Sequence, residues 1–301
     1  MKTLIYILFS LVMVSCTNGE AGSNKENSPS SGITTVDMNY WYQGKAELNS
    51  YDLKQSRYGE IHKGHAVLIF VSEPFNTEKQ VKADRPANSP STNVLKLNFT
   101  KKFSTGIYPY SLMSSVFTPI NQNEYSNTLK VSTTNQDWCG HTFMQLNLDK
   151  DKYRIEQFSY FESEGDKQTE IKKVLLEDEI WNLIRLQSGN LPEGNLEIYP
   201  STQFIRLKHK KNEIVRARAK LQKSNKINTY TLEYEDRSLS IGFSSDPPFK
   251  ILGWTETYLN NEGAETENLT TTATLKETIM LDYWNKNSVA DSVYRAMLGL
   301  N

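Results

Sequence analysis

The sequence predicts a mostly β protein of the α+β class: a curved antiparallel sheet or incomplete β-barrel wrapped around one long buried helix at about 170–187. Three observations carry this. Apolar and polar residues alternate through most of the chain, turn-forming clusters recur between the alternating runs, and one stretch alone has a helical make-up. The 16 Tyr and 12 Phe favour strands as well.

The chain opens on a targeting segment. Lys2 supplies a positive charge, Leu4 to Val14 form a short apolar run, and Met13-Val14-Ser15-Cys16 resembles the lipobox of bacterial lipoproteins, in which cleavage leaves a Cys that is diacylated. Residues 1–15 are thus expected to be a signal peptide and Cys16 the lipidated residue. Residues 16–32, rich in Gly and Ser, read as a tether, and 33–301 as one β-rich domain. The expected location is the cell envelope, anchored by lipid to the outer membrane. Nothing after Cys16 selects the leaflet.

Ala46 to Leu53 alternate. Ala66-Val67-Leu68-Ile69-Phe70-Val71 is continuously apolar, so that strand should be covered on both faces. Leu95, Leu97 and Phe99 share a face, as do Met144, Leu146 and Leu148, then Tyr230, Leu232 and Tyr234, then Leu239, Ile241 and Phe243. Leu252, Trp254 and Tyr258 mark a later strand, and Leu275, Glu277, Ile279, Leu281 and Tyr283 the last. Turns are expected at Asp84-Arg85-Pro86, Asn88-Ser89-Pro90, Glu235-Asp236-Arg237, Asp246-Pro247-Pro248 and Asn260-Asn261-Glu262-Gly263. Between Glu170 and Gln187 there is neither Gly nor Pro, and the apolar residues point almost all the way round a helix, which predicts burial. A short helix is expected near 288–298.

Lys+Arg 34 against Asp+Glu 35 gives a net charge of -1, so no basic excess invites nucleic acid. With Cys16 lipidated, Cys139 is the remaining thiol. It lies in Asp137-Trp138-Cys139-Gly140-His141-Thr142, four letters of which match the Trp-Cys-Gly-His-Cys site of thiol–disulfide oxidoreductases. Thr142 stands where the resolving Cys would be, and Thr142 to Leu148 alternate as a strand instead of opening a helix. The structural reading is that Gly140 permits a tight turn or bulge, Trp138 packs on the sheet and Cys139 is a small buried hydrophobe. The alternative is an enzyme in which Cys139 and His141, two apart on a strand, act together with Glu60 or Asp137 as the orienting group. His62 and His65, if Gly64 turns the chain, would converge with Cys139 and His141 as zinc-type ligands. That spacing matches no zinc pattern, so no metal or other cofactor is assigned.

Arg57-Tyr58-Gly59-Glu60 and Thr100-Lys101-Lys102 through Tyr108-Pro109-Tyr110-Ser111 place cations beside aromatics, a mixture suited to an anionic or sugar-like group or a membrane interface. The candidate ligand-binding residues are Arg57, Glu60, Lys101, Lys102, Tyr108, Tyr110, Trp138 and His141. Asp291-Ser292-Val293 fits a bacterial envelope O-glycosylation pattern at Ser292. The expected partners are the membrane, through the anchor, and a lipid, a glycan or an envelope protein.

Several stretches together resemble one family: Tyr40-Trp41-Tyr42-Gln43-Gly44-Lys45-Ala46-Glu47, Arg57 to Glu60, Val67 to Val71, Val94 to Asn98, Lys101-Lys102-Phe103, Gly106 to Ser111, Trp138 to His141 and Tyr160-Phe161-Glu162-Ser163-Glu164-Gly165. They are similar to uncharacterised Bacteroidota lipoproteins often labelled septum formation inhibitor Maf. The resemblance covers most of the chain after the tether. It implies an anchored envelope protein and carries no activity. Maf pyrophosphatases open on Ser-x-Ser-Pro-Arg-Arg, whereas Asn88-Ser89-Pro90-Ser91 here has no arginine pair behind it. The function these readings favour is a non-catalytic binding or structural role at the envelope.

Overall fold

The computed structural model describes residues 38–235, 237–258 and 269–300. The expected signal peptide, Cys16, the tether and the turn at 260–263 lie outside them. Every described element belongs to the compact unit Ile33–Asn301.

In chain order the elements are β1 (Ala46–Arg57), β2 (Glu60–Asn76), β3 (Val81–Lys82), β4 (Ser91–Thr105), β5 (Tyr108–Pro119), β6 (Lys130–Asp137), β7 (Gly140–Asp149), β8 (Lys152–Ser159), β9 (Lys167–Lys172) and β10 (Leu175–Leu176). Next come helix α1 (Ile180–Gln187), β11 (Gly194–Tyr199) and helix α2 (Thr202–Lys208). The chain ends with β12 (Val215–Gln222), β13 (Ile227–Tyr234), β14 (Arg237–Ser244), β15 (Ile251–Tyr258), β16 (Leu269–Leu281) and α3 (Val293–Met297).

All strands join one sheet, in the order β10-β11-β12-β13-β14-β15-β16-β1-β2-β4-β5-β6-β7-β8-β9, with β3 added beside β2. Every pairing is antiparallel except β10 with β11. The two ends of that order, β9 and β10, are joined in the chain by Lys173 and Val174 alone. The sheet must therefore turn almost fully back on itself. It stays unclosed: β9 and β10 share no ladder, and a Lys172–Glu197 ion pair at 2.5 Å spans the seam. This is the incomplete barrel that the alternating pattern predicts.

The expected long helix is a shorter one. Glu170 to Lys172 finish β9, where Ile171 lies opposite Tyr153, and Leu175–Leu176 form β10. Pairing with β8 and β11 overrides a helical composition. Only Ile180–Gln187, preceded by a single 3-10 turn at Glu177–Glu179, is helix. It is buried, as its all-round apolar surface requires, with Ile180, Trp181, Leu183 and Ile184 in the core. A second short helix, α2, enters the concave side too. Gln203 donates to the Phe99 carbonyl at 3.2 Å, and Thr202 meets Thr133 at 2.6 Å between hydroxyls. The two helices fill the concave face. Trp181, Phe99 and Trp254 pack edge to face at 5.1–5.3 Å around α1.

The apolar run of β2 is covered on both sides. Ala66, Leu68 and Phe70 belong to the main core, while Val67 and Val71 join an outer cluster with Leu298 and Leu300. The last strand does not keep the single face that its alternation predicts. A bulge opposite Ser50/Tyr51 splits it, so Leu275 packs on the main core and Ile279 and Leu281 on the outer cluster. Gly64 is no turn: it is mid-strand, and a Cβ there would lie 2.2 Å from the Lys102 carbonyl oxygen.

Away from the outer cluster, outward positions are polar, as in Arg216, Arg218 and Lys220 of β12 or Thr270, Thr272 and Thr274 of β16, while the interior is largely apolar and packed around a few buried ion pairs.

Candidate functional site

Because neighbouring strands alternate in direction, the β1–β2, β4–β5, β6–β7 and β8–β9 connections all emerge at one end of the sheet. Six antiparallel steps separate β11 from β1, so β11 also runs toward this rim and delivers α2 to it. The rim is where the cation-and-aromatic stretches meet.

Tyr58 and Gly59 make the first turn, both with positive φ (52° and 77°). Arg57 lies 4.3 Å from the Tyr58 ring centroid and 5.7 Å from that of Tyr110, and donates to the Leu207 carbonyl at the end of α2. The Tyr58 and Tyr110 hydroxyls are 2.8 Å apart, and Tyr108 donates to Tyr58 at 3.5 Å. Burial works to raise the Tyr58 pKa, but hydrogen bonds from Tyr108 and Tyr110 and the Arg57 charge outweigh it, and the phenol sits below its ordinary value. Tyr110 stacks on Phe103 at 4.9 Å, and Tyr108 on Trp138 at 6.4 Å. Tyr58, Ile107, Trp138 and Tyr160, one from each connection, stay 61%, 80%, 68% and 76% exposed. Exposed apolar and aromatic side chains on four adjacent turns form a continuous platform.

The platform leads into a cleft of about 330 Å³ between β7, β8, β9 and the segment after α2. Arg206 and His209 both meet Glu164 Oε1, at 3.0 and 2.7 Å, and Arg206 lies 4.0 Å from Asp137. Phe161 carries Arg206 over its ring at 4.5 Å. Burial works to raise the Glu164 pKa, but hydrogen bonds from Ser159 and His209 and the Arg206 charge hold it below the usual range. Lys167, Lys210 and Lys211 line the mouth, and Lys210 is tied to Glu235 at 2.9 Å.

Of the sequence candidates, Arg57, Tyr108, Tyr110 and Trp138 come together on the rim. Glu60 and His141 are exposed on strands that start from it. Lys102 faces outward, and Lys101 does not belong to the surface at all: at 6% exposure it points into the core, because adjacent strand residues face opposite ways. Ser292 is exposed.

Cys139 is exposed, not the buried hydrophobe expected. It and Trp138 form the two-residue turn between β6 and β7, and its backbone N–H donates to Asp137 Oδ1 at 2.7 Å. Gly140 allows Tyr160 to approach, since a Cβ would lie 2.8 Å from the Tyr160 ring. Trp138 packs sideways on Tyr108 instead of onto the sheet. No hydrogen bond among the described residues links Cys139 to His141 or Glu60. His62 and His65 lie three apart on a regular strand and so face opposite ways. No cluster of metal-ligating side chains occurs among the described residues.

Arg206, His209 and Glu164 were not legible as a site. The ion pairs span 42 and 45 residues, and no local motif marks them. Tyr160 to Gly165 did stand among the stretches that carry the family resemblance.

No family model matches the chain, and no curated protein matches it. Among solved structures, a porin-like protein from Bacteroides uniformis aligns with 77% of this chain and 95% of its own, at 11% identity and a TM-score of 0.20. A likeness that slight carries no argument about fold or function.

Proposed function

We propose that the protein is a binding protein of the cell envelope, anchored through Cys16 to the outer membrane, and that its rim takes up a saccharide bearing an acidic group. The observation that carries this is the run of aromatic rings along the rim, Tyr58, Tyr108, Trp138 and Tyr160, ending at a cleft edged by Lys167, Arg206 and Lys211. Flat rings suit the apolar faces of sugars, and the cations suit a carboxylate or phosphate. A lipid-carrier role needs an open apolar interior. Here α1 and α2 fill the concave face, and the void beside Lys101 measures about 10 Å³.

The test is titration of uronic-acid oligosaccharides against neutral gluco-oligosaccharides, monitored by tryptophan fluorescence. The acidic sugars should bind, and Trp138→Ala should weaken them by about tenfold, the equivalent of one lost stacking contact. No response to either class, or an unchanged affinity in the variant, refutes the reading. Loss of metabolic acyl labelling in Cys16→Ser checks the anchor.

A further inference from the structure

A second surface lies outside the sheet, on β16, β1, β2 and β4. After β16 the chain runs back over these strands as one helical segment, Val289–Ser292 in 3-10 form continuing into α3. A Ser288–Asp291 capping box starts it. Leu298 and Leu300 turn inward onto Ala46, Leu48, Val67 and Val71. Val293 and Met297, four apart on α3, share a face and are 54% and 52% exposed, and Val289 in the 3-10 turn before them is 93% exposed. Trp284, 47% exposed, precedes them.

The strands beside this stripe are cationic. Lys54 lies directly opposite Lys63, and His65 opposite Lys102. Burial first, then the charges of Lys102, Arg295 and Lys276, push the His65 pKa down. The acids on these strands and on the segment that crosses them include Asp52, held by Lys276 at 3.3 Å, Glu73, held by Lys96 at 2.8 Å, Asp282, held by Lys286 at 3.5 Å, Asp291, which caps the helical segment, and Glu277. Among the described residues no ion pair holds Lys54, Lys63 or Lys102. Like charges directly opposite one another, as at Lys54 and Lys63, destabilise a sheet.

We infer that this face docks on a bilayer surface rich in anionic headgroups, the stripe Val289-Val293-Met297 entering the interface and Lys54, Lys63, Lys102, Lys276 and Arg295 meeting the headgroups. An exposed apolar stripe flanked by Trp and by Lys/Arg is the make-up of an interfacial helix.

The test uses the chain from residue 16 onward, which keeps every described element, with Cys16→Ser so that no acyl chain contributes. Co-sedimentation is measured with vesicles of equimolar phosphatidylglycerol and phosphatidylcholine and with phosphatidylcholine alone. Binding is expected to the anionic vesicles only and to fall as salt rises. Val289→Asp/Val293→Asp/Met297→Asp should weaken it at least tenfold, as should Lys54→Gln/Lys63→Gln/Lys102→Gln, which leaves the stripe intact. Both sets of residues are exposed, so an unchanged circular dichroism spectrum is the fold control. No binding, equal binding to both vesicles, or a variant that binds like the parent overturns the inference. Saccharide binding at the rim is unaffected by either variant, so the two proposals fail separately.

Discussion

Arg185 ties the helix inside the sheet to the first strand. Its guanidinium meets Glu47 through Nη1–Oε1 at 2.5 Å and Nη2–Oε2 at 2.7 Å, and neither side chain has any exposed surface. Nε donates to the Pro248 carbonyl at 2.8 Å, and the group lies 4.7 Å from the Phe70 ring centroid and 5.0 Å from that of Trp41. Asn49 and Tyr40 also donate to Glu47. Burial pushes the Glu47 pKa up, but the Arg185 charge and these hydrogen bonds outweigh it and hold the carboxyl at about 2, against an ordinary 4.5. That difference is worth about 3 kcal/mol of stability. The group is depressed, so its contribution is present above pH 4.5 and is lost as the pH falls toward 2. Arg185→Met leaves Glu47 buried without a countercharge. The expected loss at pH 7 is about 3–5 kcal/mol, seen as a fall in Tm of roughly 6–20 °C. In the variant burial is opposed only by the hydrogen bonds from Asn49 and Tyr40, so the Glu47 pKa rises and the sign reverses: between pH 7 and pH 5 the variant regains stability relative to the parent. Urea unfolding monitored by tryptophan fluorescence at both pH values measures this. The pair Glu47→Leu/Arg185→Met should recover most of the loss, since no buried charge is left. A loss below about 1 kcal/mol, or one equal at both pH values, refutes the reasoning.

The packing dictates three further outcomes. Cys139 should react with a maleimide in the native protein as fast as in urea, because it sits exposed in a turn; labelling that requires unfolding contradicts that placement. Gly64→Ala should cost several kcal/mol in urea unfolding, since the added methyl meets the Lys102 carbonyl and the Phe103 Cβ, and both strands are central; a neutral substitution would show that the strands can part. Asn182→Leu should cost about 2–3 kcal/mol, because its buried amide donates to the Leu95 carbonyl at 3.0 Å and to Thr118 Oγ1 at 2.9 Å; an unchanged urea midpoint would count against it.

The sheet was legible because period-two alternation is a local signal, and each hairpin is closed by residues adjacent in sequence. Phe99, Leu146, Tyr230 and Ile241 all point where that alternation sends them. The misreading of Glu170 to Leu176 as helix has the same root. An edge strand with few apolar residues has little alternation to show, and only its pairing with Tyr153 and Ile198 decides its form. The rim was half legible. Arg57, Tyr108, Tyr110 and Trp138 stood out by type, but their convergence depends on four hairpins emerging at one end, which is a property of topology. The cleft was not legible, since Glu164 and Arg206 meet only because α2 returns to the rim.

Lys101 and Lys102 show where composition alone misleads. Side by side on β4, they look like one cationic pair, yet the pleat sends Lys102 to the outer cationic face and Lys101 into the interior. There Lys101 lies 5.1 Å from the Phe99 ring centroid, beside Glu256, Arg237 and Glu177. Arg237 bonds Glu177 through both Nη atoms at 2.7 Å and Glu256 through Nε at 2.7 Å. One arginine thus serves two buried carboxylates, and Lys101 is the second cation that balances them. Burial pushes the Lys101 pKa down. Burial also works to raise that of Glu256, but the Arg237 and Lys101 charges hold it at about 2. Lys101→Met should therefore cost roughly 2–4 kcal/mol at pH 7, and less at pH 5 where Glu256, deprived of one cation, takes up a proton more easily. Lys102→Met should leave the urea midpoint where it is, since that side chain is solvated. Equal losses for the two, or a Lys101→Met loss that grows toward low pH, would mean that the buried carboxylates do not depend on Lys101 for their charge.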